Sequence, residues 1–551
     1  MTFRNWAFAA LMLVGTNTAK AQSVSDSPTT ALDRVDPAHA ENDIAPRDGP
    51  RPQIETVEQP AGPTLGGTRY PVGAIALTGL RILQPVDFVD IIEGYTGRAL
   101  TGEELASLAK RIADRLQSRG YIFASAGIAP QPLDAGVLIV AVDEGVIDHI
   151  EVQGDDSAVI RNWLDPLRSG RPVTFAEVER RLLLIGDLPG VWVRRSRYER
   201  RGSEGVLIVE VSRDPASGRV TFDNDGSKPV GPAQARIEAN FNGLFAADDR
   251  IALTYQTTPF EPSELQYGRF QYVKLVSTAG TEVSVRGSYS STEPGAYLRG
   301  RGIFGESWRA GLGVRHPLWR RRDASLWLEG DLESRELRQE RKGILARKDR
   351  ITTISVGVYG YALVAAGQMR ARMTLSQGLD VLDATLMGDR LASRGDAAPD
   401  FTMVSGWVDW TGNLFDRFSM RVALSGQTST TPLLITEEAG LGGSRFLRGY
   451  NYNERSGEQA LMGSGELRYD WVHPAGLVER ARLYAFADAG VVDNVGGGRG
   501  SGSLASTGGG ISTSITRDLA IDLQLAFPLT GPRYDTDDRS PRFNLETRHS
   551  F

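Results

Sequence analysis

Few residues in this chain are equipped for covalent or metal chemistry. Cysteine is absent and the five histidines, His39, His149, His316, His473 and His549, are scattered, so neither a zinc centre nor a redox pair is expected. There is no G-x-x-x-x-G-K-[ST] phosphate loop, and the glycine tract from Gly496 to Gly502 lacks the lysine such a loop needs. No G-x-S-x-G elbow presents a nucleophilic serine, and the acidic YDTDDR around Asp537 reads as a solvated loop rather than a calcium site. What stands out is LGGSRFLRGYNYNERSG, Leu441 to Gly457, where three arginines, three aromatics and four glycines share a stretch without helical or strand period. The chemistry offered there is recognition of a carboxylate by a guanidinium fork, through two parallel hydrogen bonds. No enzyme activity, cofactor or metal is expected.

The elements around this loop alternate with period two. RDLAIDLQLAFPL puts Leu519, Ile521, Leu523, Leu525 and Phe527 on one face, with Asp518, Asp522 and Gln524 on the other; ASLWLEGDLESREL sets Leu326, Leu328 and Leu332 against Glu329, Asp331, Glu333 and Arg335. Segments of about ten residues in this style, repeated from 219 to 551, are the mark of an all-β transmembrane barrel rather than a soluble sandwich or propeller. Connections alternate in length: FAADDR, STAG, RRRD, VAAG and TRD are brief, whereas 338–349, 377–401 and 428–458 are extended. Short periplasmic turns and long external loops explain that alternation. The reading yields sixteen antiparallel strands, the last ending on Phe551 at an aromatic girdle, and such a barrel encloses an aqueous lumen.

The arginine-rich stretch then falls in the sixth external loop. In the thirteenth strand, Arg482, Tyr484, Phe486, Asp488 and Gly490 share the lumen face, while Leu483, Ala485, Ala487 and Val491 face lipid. The expectation is a loop folded into the pore and pinned by Arg448 to Asp488, with Gly442, Gly443 and Gly449 letting the backbone approach the wall.

Ahead of the barrel, one order appears twice. AIALTGL, two helical stretches and the strands FASAGIAPQ and AGVLIVAVDEG make a βααββ unit over 72–145, with Thr101 and Glu104 as a capping box. HIEVQGD through EGVLIVEVSRD repeat it over 146–214. Further upstream, MTFRNWAFAALMLVGTNTAKAQS has the layout of a signal peptide over 1–21, and 22–71, rich in Pro, Asp, Thr and Ala, reads as a disordered linker with at most a short helix around Thr30 to Val35. The net charge of -6 gives no nucleic-acid footprint.

LRGY at 447–450 and FADAG at 486–490 resemble the paired motifs of the outer-membrane translocation and barrel-assembly superfamily, in which an R-G-Y/F loop tip meets an F-x-D-x-G strand. The two βααββ units look like POTRA domains, and FDNDGSKPVG, Phe222 to Gly231, resembles the first-strand motif of the two-partner secretion transporters related to haemolysin and filamentous haemagglutinin secretion. The resemblance implies Arg448, Gly449, Tyr450, Phe486, Asp488 and Gly490 as the loop-gating set. It also implies a monomer in the outer membrane of a Gram-negative bacterium, with its POTRA domains in the periplasm, exporting a large β-helical exoprotein of the haemagglutinin/haemolysin type without nucleotide hydrolysis. Related transporters often carry an N-terminal plug helix, a question the proline-rich 22–71 leaves open. Capture of the exoprotein by strand addition points to the edges near Phe123–Ile128 and Val191–Tyr198, hence Phe123, Ala124, Ser125, Val191 and Val193. Porin, adhesin and barrel-assembly factor are the competing classes.

Overall fold

The computed structural model describes Glu55–Thr56 and residues 69–551, apart from 130, 132–135, 156–157, 203, 476–477 and 499. The expected signal peptide and the short helix near Thr30 lie outside the described residues.

In the first α+β unit, Ala74–Thr78 runs parallel to Val137–Asp143, and Ser125–Gly127 pairs antiparallel with the same strand to form the sheet edge. The helix Gly102–Ser118 begins at the capping box, in which the Glu104 amide donates to Thr101 Oγ1 and the Thr101 amide to the Glu104 carboxylate. Its stripe of Leu105, Leu108, Ile112 and Leu116 is buried in one core with Leu138, Val140 and Val142 of the sheet. The second unit has the same topology: His149–Gly154 is parallel to Glu204–Arg213, Val191–Arg201 is antiparallel to it, and Ala158–Leu164 and Phe175–Gly186 supply the helices. Two amphipathic helices on one face of a small sheet are enough to enclose a core.

Part of the stretch read as a structureless linker is ordered. Glu55–Thr56 lies parallel to Val191–Arg201, Glu55 opposite Arg197 and Thr56 opposite Tyr198. A sheet edge with unpaired amides and carbonyls is a template for extended backbone, and a tethered segment finds it readily.

The chain then closes sixteen antiparallel strands into a barrel, from Ala216–Asp223 to Arg542–Ser550. Lipid-facing positions are apolar in cross-strand rows, such as Leu312 opposite Leu332 and Val356 opposite Leu375, all exposed. One expected loop is absent. The sixth to eighth strands, Ile303–Arg320, Ala324–Arg341 and Ile344–Val364, are long, and Lys342 and Gly343 form the whole connection where 338–349 reads as extended loop. Both turn residues take positive φ, as a two-residue hairpin turn requires. The polar sequence hid this strand extension because, above the lipid, an outward face no longer has to be apolar; its other face, including Leu337, Gln339, Arg347, Asp349 and Ile351, is buried.

Orientation follows from the joints. Phe123 of the first unit stacks on Tyr198 of the second, with ring centroids 4.1 Å apart, and burial pushes the Tyr198 phenol up to about 12, so it stays neutral. The second unit docks on the short turns of the barrel. Arg320 grips Asp187, at the end of the Phe175–Gly186 helix, with bonds of 2.8 and 2.9 Å; Arg181 Nη1 donates to Thr278 O at 2.8 Å; and Leu275 joins the second unit's core. Short turns and α+β units therefore share one mouth of the barrel, and the long loops occupy the other.

Candidate functional site

The loop between the eleventh strand, Phe418–Ser429, and the twelfth, Gln459–Ala475, does not project into solvent. Its two arms pair through Ala439–Leu441 and Arg455–Gly457, and its tip is buried in the barrel: Leu447 and Tyr450 are 0% exposed and Arg448 5%. Gly442, at φ 113°, starts the tight return of the tip, and an added Cβ there would meet Asn451 O at 1.9 Å. Leu447 itself takes φ 59°, a left-handed conformation that an isolated leucine avoids.

Three neighbouring strands prepare the receiving row. Ser464 on the twelfth strand and Ser506 on the fourteenth, Gly502–Ser514, are the cross-strand partners of Asp488 on the thirteenth, Val478–Asp493. Asp488 accepts five hydrogen bonds. Arg448 supplies its backbone amide at 3.0 Å, Nε at 3.1 Å and Nη2 at 3.0 Å; the Ser464 and Ser506 hydroxyls add 2.8 and 3.3 Å. The outer edge of the guanidinium reaches Glu466, Nη1 to Oε2 at 2.7 Å, and Nη2 also donates to Ser464 Oγ at 3.1 Å. The cation lies 3.4 Å from the centroid of the Phe486 ring, a favourable placement over a π face. Glu466 in turn accepts from Arg468 at 2.6 Å. Two carboxylates thus face Arg448 and Arg468, a buried array that is stable only while every member keeps its partner.

The glycines of the two motifs have steric roles. A Cβ on Gly449 would come within 2.9 Å of Pro528 N and 3.0 Å of Ser506 Cβ, and one on Gly490 would meet Leu447 Cδ1 at 3.0 Å. Tyr450 passes the array and shares a hydrogen bond with Thr530 Oγ1 at 3.0 Å. Its carbonyl accepts from Arg542 Nη1 at 2.8 Å, and Arg542 Nη2 donates to Asp225 O at 2.7 Å. One arginine therefore joins the loop tip to the seam where the first and last strands meet. That seam pairs Arg219–Asp223 with Glu546–Ser550. Asn224 extends it, its side chain bonding Phe543 O at 2.9 Å and the Leu545 amide at 2.7 Å.

The six residues that the resemblance singles out, Arg448, Gly449, Tyr450, Phe486, Asp488 and Gly490, thus lie together. Glu466, Ser464, Ser506 and Arg542 were missed. Ser464, Glu466 and Arg468 alternate along the strand, a pattern compatible with a lumen face, but only strand register puts the first two beside Asp488. The residues at the expected strand edges differ in how their side chains lie. Phe123, Ala124 and Val191 are 3%, 3% and 1% exposed and belong to cores, and Val193 packs against one; their side chains are turned inward, away from any incoming chain. Ser125 is at the sheet edge, paired with Asp143. What the edges present is backbone.

A barrel in lipid, a loop bolted inside it and paired α+β units at one mouth define the class of outer-membrane translocators built from POTRA units and a barrel. Residues 202–513 match the family described as Haemolysin secretion/activation protein ShlB/FhaC/HecB, and 70–145 match the POTRA domain of ShlB type. The chain belongs to this haemolysin secretion/activation family, a family of outer-membrane transporters with their POTRA units in the periplasm. Among similar proteins, the Heme/hemopexin transporter protein HuxB of Haemophilus influenzae strain Rd is 22% identical over 541 residues, covering 91% of this chain and 92% of that one. The Outer membrane transporter CdiB of Escherichia coli is 24% identical over 490 residues, 85% and 82% of the two chains. In fold, CdiB from Escherichia coli matches with a TM-score of 0.71 at 21% identity, covering 92% of this chain and 94% of that one. BamA from Haemophilus ducreyi lacking POTRA domains 1-3 matches at 0.52 and 11%, covering 88% and 100%.

Proposed function

We propose that this chain recognises one large β-helical exoprotein in the periplasm, through backbone pairing at a POTRA strand edge, and passes it through the barrel to the cell surface when the loop tip leaves Asp488. The observation that carries the reading is the buried Arg448 array, a plug built of polar contacts inside a sixteen-stranded barrel, a size that otherwise leaves an aqueous channel. Pairing of Glu55–Thr56 with Val191–Arg201 supports the capture step, because that edge accepts an added strand here. No energy source beyond external folding of the cargo is required. The chain acts as a monomer, and catalysis has no part in the process.

Barrel assembly is the second reading, favoured by the shared architecture with BamA. The two separate on deletion. Loss of this chain should empty the medium of a large β-helical protein encoded beside it and leave other outer-membrane barrels at normal abundance. A general fall in barrel abundance with secretion intact would reverse the assignment.

A further inference from the structure

Arg394 lies in the fifth external loop, far along the chain from the arginine at the loop tip, yet it is 9% exposed and surrounded by acceptors from three loops. Within its own loop it forms a fork-to-fork pair with Asp396, Nε to Oδ1 at 3.1 Å and Nη2 to Oδ2 at 3.0 Å. Toward the sixth loop, Nη1 bonds Glu438 Oε1 at 3.1 Å and also contacts Glu458 Oε1. Toward the seventh, Nη2 donates to Val495 O at 2.8 Å. The carboxylates extend the junction. Glu458, 0% exposed, accepts from the Leu433 amide at 3.1 Å and the Val495 amide at 2.9 Å. Glu438 accepts from Ser456 Oγ at 2.6 Å, and Asp396 from the Gly497 amide at 2.9 Å.

The positions matter more than the number of bonds. Glu438 directly precedes the rising arm Ala439–Leu441, and Glu458 directly follows the descending arm Arg455–Gly457. One guanidinium therefore holds both feet of the sixth loop and ties them to its neighbours. Ser393 Oγ accepts from the Ile435 amide at 3.1 Å, and Ile351, Ala397, Phe401, Leu433 and Leu434 pack beneath the junction. The tip cannot rise as a rigid hairpin while its feet are held there, and a buried cation cannot leave one partner without stranding the rest.

We propose that Arg394 is a positioning residue for transport, the clamp of a second lock at the base of the sixth loop, which must open together with the Arg448 lock before cargo passes. The proposal rests on the reading of this loop as the gate. Opening then takes two separated events, one sensed inside the lumen and one at the cell surface, and release of either alone leaves the pore closed on average but restless.

The chain has no cysteine of its own, so an introduced pair is unambiguous. In the full-length protein, Ser393→Cys with Ile435→Cys bonds the two loops beside Arg394 while leaving that residue in place. Oxidation should cut secretion of the partner by about tenfold or more, with reductant restoring it, and Arg394→Ala should raise the frequency of open events in planar bilayers by about tenfold, both with normal heat-modifiable mobility on gels. Export at the unmodified rate with the disulfide formed would overturn the clamp. So would bilayer traces of Arg394→Ala that match the parent. Failure of the parent protein to secrete the partner at all would instead count against the export reading.

Discussion

Arg448 is the residue on which most of the lumen chemistry turns. Truncation to alanine would leave the buried Asp488 without its cation and Glu466 with Arg468 alone, at a cost on the order of 3–5 kcal/mol to the seated loop. Arg448→Ala should abolish secretion while the barrel still reaches the outer membrane, as read by heat-modifiable mobility and partner in the medium; normal export would remove the assigned role. Arg448→Lys should fail as well, since an ammonium cannot serve Asp488 and Glu466 with the same planar geometry. Gly449→Ala tests the steric side, because its new methyl group would press on the Pro528 backbone; reduced secretion and a noisier closed state are expected. Glu438 adds a pH dependence. Burial, reinforced by Glu458 and opposed by Ser456 and Arg394, pushes its carboxyl up to about 7 from an ordinary 4.5. A raised acid binds its proton more tightly in the folded loop, so its stabilisation is complete below about pH 4.5 and is lost as pH rises through 7. The closed pore should be quieter at pH 6 than at pH 8, and Glu438→Gln should abolish the difference. A parent pore with equal noise at both values would contradict this.

At the scale of elements, the second α+β unit is seated on the barrel through charged and polar bonds. The helix Phe175–Gly186 ends on Asp187, which takes both arms of Arg320, itself bonded to Tyr361 Oη at 2.9 Å and to Ser325 Oγ at 3.1 Å. In the proposed capture mode, a cargo strand pairing with Val191–Arg201 would sit one short turn away from that helix, so force on the edge would be transmitted to the barrel wall. Asp187→Arg should lower secretion severalfold without weakening cargo binding in pull-down. The exchange Asp187→Arg with Arg320→Asp should recover part of it. Equal defects in the single and double variants would mean the pair is not the coupling element.

The whole molecule ties the tip of the sixth loop to the closure of the barrel. Arg542 bridges the Tyr450 carbonyl and Asp225, so a seated loop braces the seam between first and last strands. Arg542→Ala should lower the temperature at which the barrel unfolds on gels, and in an Arg448→Ala background, where the loop is already loose, the further drop should be small. Additive drops would indicate independent roles. The long sixth to eighth strands extend beyond the neighbouring turns and brace the fifth and sixth loops from the side, through Ile351, the Asp349 carboxylate that accepts from the Ser393 amide, and Arg335 on the Thr436 carbonyl.

Period-two alternation, short turns against long loops and the Thr101 capping box are local signals, and they sufficed for the sixteen strands, the paired α+β units and the meeting of Arg448 with Asp488. Local pattern works there because each strand must satisfy lipid on one face and water on the other, wherever its neighbours lie. Register was another matter. That Ser464, Asp488 and Ser506 form one row, or that Glu438 and Glu458 share Arg394, depends on which residues stand opposite each other after the barrel closes, and nothing in a strand's own alternation encodes that offset. The side chains of Phe123, Ala124 and Val191 lie in cores for the same reason: only the assembled sheets and the stacked units decided that they turn inward and leave backbone at the edge.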